Sequence, residues 1–353
     1  MTSPTRTAER PLLVGGALAV LSALLFGLST PFVQRFGQHA GSFATAGLLY
    51  IGAAAASLAL SRSRAVEAPV RRSDLPRLLS VALCGAVAAP VCLAWGLHRT
   101  GATTASLMLS SEAFFTVVLA RAIFHEPIGL RVAVAMSAMG LGAAVLLSAA
   151  GSFGDAAGWG PLAVLLASLA WAADNTLTRP LADLDPGQVV VRKSAAGAVL
   201  ALAVAWCFHE PMPSVSDALG LACTGAVGYG TSLYLYLGAQ RRIGAGRTGS
   251  IFATAPFLGA LAAWAMGDRS AGLSTIVAGL LFGVGVALHL TEQHGHAHRH
   301  AALEHEHRHR HDDGHHTHVH DPPVLGEHSH AHVHTPLRHV HPHGPDLHHQ
   351  HEH

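Results

Sequence analysis

Charge is what this sequence most conspicuously lacks. Only 12% of its 353 residues are Asp, Glu, Lys or Arg, about half the share carried by an ordinary soluble domain. Lysine occurs once, as Lys193. Half of the residues are apolar and the mean hydropathy is +0.36, a balance that excludes a soluble globular domain. Aromatics are scarce at 6%, while Ala and Gly abound; small residues let helices approach closely in lipid, where packing drives association. The four cysteines, Cys84, Cys92, Cys207 and Cys223, sit singly inside apolar runs with no CxxC pair, which argues against a disulfide framework and for buried thiols acting as small hydrophobes. Catalytic constellations are missing too. His125-Glu126 and His209-Glu210 open like a zinc-protease helix, but Gly129 and Pro213 stand where its second His is required. No activated nucleophile and no phosphate loop emerges, so an enzyme is not expected.

What is present is a succession of apolar segments of membrane-spanning length. They fall near 12–32, 42–60, 77–97, 102–122, 130–149, 159–178, 188–208, 217–238, 247–266 and 271–290. Turn chemistry and charge separate them, as at His125-Glu126-Pro127, Asp185-Pro186-Gly187 and Gly267-Asp268-Arg269. The N-terminus resembles a signal peptide, but its apolar run lacks a small-residue cleavage pattern and reads as a first membrane helix. Basic residues set the orientation. With the N-terminus in the cytoplasm, only Arg35, Arg99 and Arg269 of the 22 Lys and Arg lie on the far side. The expectation is an all-α polytopic protein of the plasma membrane (a bacterial inner membrane) with ten helices and both termini cytoplasmic.

An internal repeat follows. Shifting residues 97–149 by 143 positions lays Gly101 on Gly244, Phe114 on Phe257, Gly140 on Gly283 and Gly142 on Gly285, and a shift of 145 lays Phe26 on Trp171. Five helices per half is an odd number, so the halves have opposite orientation, an arrangement of transporters with the substrate site near the midplane. The expected organisation is a cytoplasmic N-terminus 1–11, a first five-helix repeat 12–149, a second 159–290 and a disordered His-rich cytoplasmic tail 291–353.

Several stretches carry a family resemblance: Phe26-Gly27-Leu28-Ser29-Thr30-Pro31, Phe124-His125-Glu126-Pro127, Trp171 through Arg179, and Gly228-Tyr229-Gly230 through Arg247 to Ala255-Pro256-Phe257. In order and spacing they resemble the EamA branch of the drug/metabolite transporter superfamily, over residues 12–290. The resemblance implies a ten-helix carrier of small solutes, often an exporter. Phe26 stands where the family usually has Trp, and the tail is not a family feature. Substrate does not transfer with the resemblance.

Ionisable groups inside membrane helices cost about 2.5–3.5 kcal/mol each on insertion scales, so each needs a partner or a function. Glu112 lies near the centre of the fourth helix, and its repeat counterpart is Ala255-Pro256, where proline would break the ninth. Burial disfavours the charged form of a carboxyl group, which suits Glu112 to a coupling proton or a substrate; the alternative is a structural partner for a basic side chain. Asp174, Asn175 and Lys193 belong at similar depth near the cytoplasmic ends of the sixth and seventh helices, either as a structural ion pair or as an inner gate or anion site. Pro31, Pro90, Pro256 and Arg247 are candidate helix breaks or gate residues.

The tail holds 23 of the 28 histidines. Neutral imidazole ligates Zn, Ni, Co and Cu, and the His-x-His runs His305, His307, His309, His311, then His315, His316, His318, His320, then His328, His330, His332, His334 are the expected divalent-metal ligands. Apolar residues there are too sparse for a core, which predicts disorder. No cofactor is required by the membrane region. Expected partners are the lipid bilayer, a small-molecule or ion substrate and, as a permitted assembly, a second copy in a homodimer; nucleic acid is not expected. Three functions remain open: a solute carrier with a metal-binding tail, a transition-metal efflux or homeostasis carrier, and a non-transporting metal sensor or scaffold.

Overall fold

The structure is a computed structural model and describes residues 9–60, 69–124, 128–150, 159–181, 184–290, 294–299, 303–309, 328–334 and 338–343. Ten helical rods appear among the described residues, the expected number. α1 is Glu9–Gly37, α2 Ser42–Leu60, α5 Leu130–Ala149, α6 Trp159–Thr178, α7 Pro186–Cys207 and α10 Leu273–Leu290. α3 runs Leu75–Ala82, a π turn Leu83–Ala88, then Ala89–Leu97; α8 runs Val215–Gly225, a π turn Ala226–Thr231, then Ser232–Ile243. The other two are broken: α4 into Ala102–Met108 and Ser111–Phe124, and α9 into Ala245–Phe252 and Ala255–Ala265. A twenty-residue helix spans about 30 Å, the apolar thickness of a bilayer. Seven of the described helices are long and apolar enough to cross a membrane on their own. α6, α8 and α10 complete the bundle: α10 is apolar but shorter, Leu273–Leu288, while polar residues such as Asp174 and Asn175 in α6 and Gln240 and Arg242 in α8 weaken their hydropathy.

The halves repeat each other in detail. The two π turns are separated by 143 positions and the two breaks by 144. The Phe114 ring lies over Gly140, and the Phe257 ring lies over Gly283 in the same way. Gly142 of α5 packs against Leu281 and Phe282 of α10, while Gly285 of α10 packs against Met139 and the Ala135 carbonyl of α5. Such reciprocity is what two copies of one five-helix unit produce when related by a two-fold axis. α2 and α8 cross so closely that a Cβ at Gly52 would meet the Ala222 carbonyl, and one at Gly225 the Leu49 carbonyl. The core on this axis joins Leu49, Tyr50, Leu93, Met108, Trp171, Leu221 and Phe282.

Interhelical loops meet at one end of the bundle, the end expected to be the far face. The Glu210 carboxylate accepts from the Phe43 and Ala44 amides at 2.9 and 3.0 Å, capping α2. Asp268 accepts from the Thr103 amide at 2.8 Å, capping α4. Gln34 donates to the Leu97 and Thr100 carbonyls, and His98 bonds the Gly37 carbonyl at 2.9 Å. Trp95, Trp159, Trp206 and Trp264 all lie near far-face helix ends, the placement of an interfacial aromatic belt. Arg99 and Arg269 stack over Trp95 and Trp264. Elsewhere the exposed surface is apolar, for example Leu13, Leu141, Leu219 and Leu280, and needs lipid rather than water.

The described tail segments depart from the expected disorder. β1 His294–Arg299 pairs antiparallel with β4 Arg338–His343, and β2 Leu303–His309 with β3 His328–His334. Strict His-x-His alternation has the period of a strand, and backbone pairing, unlike a packed core, does not require apolar residues. His311, His315, His316, His318 and His320 lie outside the described residues, as do His125-Glu126-Pro127.

Candidate functional site

Between the halves, the broken α4 packs on α6, and α6 and α7 both pack on the π turn of α3. The break in α4 follows Met108: Leu109 and Ser110 turn out of the helix, and Ser111 restarts it. The Met108 carbonyl is taken up by the Ser168 hydroxyl of α6 at 3.3 Å. Restarting at Ser111 places Glu112 in the first turn of the second half-helix, where backbone N–H groups and the helix dipole favour a carboxylate. Glu112 Oε1 accepts from Asn175 Nδ2 at 2.7 Å. Asn175 is exposed and Glu112 half-buried, so this pair borders accessible space within the bundle.

The residue preceding Asn175 faces the interior. Asp174 is 3% exposed and forms an ion pair with Lys193, itself 9% exposed. Thr178, one turn on, donates to the other carboxylate oxygen at 3.4 Å. Lys193 reaches this depth because α7 begins at Pro186 behind an Asp185 cap, whose carboxylate accepts from the Gly187 amide at 2.9 Å. The Asp174 carboxylate lies against Gly85 of the α3 π turn and fills the space a Cβ would need.

That π turn exposes a backbone acceptor. The Gly85 carbonyl takes hydrogen bonds from the Tyr50 hydroxyl at 2.5 Å and the Trp171 indole at 3.1 Å. π turns break the α ladder locally and recur at functional sites. Above it stands an aromatic cluster: Phe26 meets Trp171, Tyr229 and Phe252 at ring separations of 5.9, 5.7 and 5.3 Å. Tyr236 continues it against Phe252 at 5.0 Å. Several hydroxyls bordering this region are buried without a partner: Ser106, Ser110 and Ser111 at the α4 break, and Tyr229. Ser29 neighbours Tyr229 but donates instead to the Phe26 carbonyl at 2.6 Å. Buried unsatisfied groups are rare in native folds and mark places for a water or ligand.

The proposed breaks fall differently. Pro256 opens the second half of α9, directly after the interruption at Ala253 and Thr254. Pro90 follows the α3 π turn, whose altered ladder accommodates its missing N–H. Pro31 is buried within an unbroken α1, and Arg247 is exposed at the start of α9. Sequence reasoning did not single out Tyr50, Gly85 or Phe252. One signal was available: the 143-residue shift, carried back twelve positions, lays Gly85 on Gly228, and both sit in the π turns.

No group of three or more His, Cys, Asp or Glu able to hold a metal occurs among the described residues. An apolar groove of about 420 Å³ between α4 and α5, lined by Phe114, Ile128, Met136 and Leu141, has no charged group among its lining.

Comparison with known proteins gives this architecture a family. An uncharacterized transporter of Methanothermobacter thermautotrophicus is 30% identical over 215 residues, covering 58% of this chain and 62% of the relative's own length. A protein of known crystal structure shares the fold with a TM-score of 0.57 and 21% identity, covering 79% of this chain and 97% of that one. The EamA-like transporter family model matches twice, over residues 13–148 and 158–291, one match per five-helix repeat. The chain therefore belongs to the EamA-like transporter family and is a multi-pass membrane protein.

Proposed function

We propose that this protein is a secondary-active carrier that exports a small solute across the plasma membrane by alternating access, with both chain termini in the cytoplasm. The observation that carries this reading is the Glu112–Asn175 hydrogen bond, set beside a broken helix between two repeats of opposite orientation. Glu112 has a neutral amide rather than a cation for a partner, so solute or a proton can exchange there without first displacing a salt bridge. Asp174 and Lys193 neutralise each other and brace α6 against α7 beside the site. The two helix breaks and two π turns supply bends at matched depth in each half, which rocking one half against the other requires.

The tail adds divalent transition-metal binding, supported by its histidine content and by the affinity of neutral imidazole for such ions. Uptake of Ni, Co, Zn and a panel of organic solutes into cells and vesicles tests both parts, comparing the intact chain, a variant ending at Gln293 and Glu112→Gln. An organic solute flux lost in Glu112→Gln and merely retuned by truncation is expected. Flux of metal alone, equally dependent on Glu112, would make metal the cargo. Metal retention with no flux of any solute would overturn the carrier reading in favour of a sensor.

A further inference from the structure

The repeat maps one helix contact onto another. A shift of 143 carries the first half of α4, Ala102–Met108, onto the first half of α9, Ala245–Phe252. A shift of 144 carries the second half of α4, Ser111–Phe124, onto the second half of α9, Ala255–Ala265. Packing of α4's first half on α9's second half therefore has an image, α9's first half on α4's second half. Two repeats in a symmetric arrangement would form both.

The structure forms the first contact, at the far end. A Cβ at Gly259 there would meet the Gly27 carbonyl at 2.7 Å and the Ser106 hydroxyl at 2.9 Å, so small residues let α1, α4 and α9 close up. At the other end, no comparable packing joins Ala245–Phe252 to Ser111–Phe124 among the described residues. α1 also packs on the first half of α4, whereas its counterpart α6 does not pack in that way on the first half of α9. Elsewhere the repeats agree: α1 lies on the second half of α9, and α6 on the second half of α4. The asymmetry is confined to Ala245–Phe252.

Residues at the unformed contact are complementary in size. The same shifts lay Ser106 on Gly249 and Gly259 on Phe115, so a ring faces a bare backbone where the far end pairs a hydroxymethyl with one. For a Cβ at Gly249 the nearest described neighbour is the Tyr236 hydroxyl at 3.9 Å. Asn175, which donates to Glu112, is exposed one turn before the end of α6.

Resting on the carrier reading, we propose that this structure is the cytoplasm-open state and that the first half of α9 is the cytoplasmic gate. It closes with Phe115 seated over Gly249, while the Ser106–Gly259 contact at the far end parts. Closure shields Asn175 and Glu112 from the cytoplasm.

Disulfide trapping of the full chain in membrane vesicles tests this, in a background carrying Cys84→Ala, Cys92→Ala, Cys207→Ala and Cys223→Ala. Bridged Cβ atoms lie about 3.5–4.5 Å apart, and a Cβ at Gly259 stands 3.3 Å from that of Ser106, so Ser106→Cys with Gly259→Cys should bridge readily. Phe115→Cys with Gly249→Cys should bridge too. Val117→Cys with Gly249→Cys should not, because Val117 lies on the opposite face of its half-helix. An added Asn175→Cys should react with an impermeant maleimide from the cytoplasmic face, lose that labelling once the 115–249 bridge forms, and keep it with the 106–259 bridge. Gly249→Leu, which leaves Phe115 in place, fills the space and should speed the Asn175→Cys labelling. No 115–249 bridge under conditions that form the 106–259 bridge, unchanged labelling when it forms, or an unchanged rate in Gly249→Leu would each overturn the gate. These readouts need no solute, so their failure leaves the carrier reading standing, which falls only on the absence of solute flux.

Discussion

Replacing Lys193 by Met should be among the most destabilising single changes in the membrane region. The substitution keeps the volume of the side chain but leaves the Asp174 carboxylate, 3% exposed, with only Thr178 at 3.4 Å as a hydrogen-bond donor. Removing one partner of a buried ion pair costs about 3–5 kcal/mol, whereas removing both is often close to neutral. Lys193→Met and Asp174→Asn should therefore each lose several kcal/mol, and the double variant should return to within about 1 kcal/mol of the parent. Equilibrium unfolding in mixed micelles, followed by tryptophan fluorescence, reads the difference; Trp171, one turn from Asp174, is a local reporter. A double-mutant coupling of at least about 5 kcal/mol follows from those figures. Single variants that each cost under about 1 kcal/mol and simply add would refute the reasoning, because the pair would then be solvated or already compensated.

Three further outcomes follow from the geometry. Gly85→Ala places a methyl where the Asp174 carboxylate lies, so it should lose about 1–3 kcal/mol by overpacking in the same unfolding assay. Tyr50→Phe removes one of two donors to the Gly85 carbonyl and should cost about 0.5–1.5 kcal/mol, less than Gly85→Ala. Asp268 is held below the ordinary carboxylate range: its partial burial pushes the other way, but hydrogen bonds from Ser270 and Thr103 outweigh it. Its contribution to stability is therefore complete above the unfolded carboxylate's ordinary value near pH 4 and is lost as pH falls through the lower folded value. An Asp268→Asn variant should flatten that acid limb of the stability profile and lower stability near neutrality, where the carboxylate's contribution is complete.

How much was legible beforehand varies by kind of signal. Helix number and order were readable because an apolar run of bilayer length has few alternative structures. The repeat was readable from Phe114 and Phe257 because a ring over a glycine needs both residues at fixed spacing. Helix ends were less so: α1 reaches Gly37, five residues past its expected end, because the stretch after Phe32 joins the far-face network through Gln34 and stays helical despite its polarity. The Lys193–Asp174 contact followed from depth and a short loop. Asn175 as the partner of Glu112 did not, since neighbouring positions on α6 face different helices and only packing selects which meets α4. The two π turns were invisible to hydropathy, because they change hydrogen bonding rather than polarity. In the tail, composition spoke for disorder, while the period-two alternation that permits pairing was present in the same residues.

The central claim is that solute crosses between the repeats at Glu112. Proteoliposomes loaded with a water-soluble metabolite extract, placed under an imposed proton gradient and assayed by mass spectrometry for escaping solutes, test it most directly. The account predicts that at least one small solute leaves about tenfold faster than from protein-free vesicles, a difference of about 1.4 kcal/mol in barrier. That flux should vanish in Glu112→Gln and persist in the variant ending at Gln293. Equal flux from the parent and Glu112→Gln, or no solute moved by either, would contradict it.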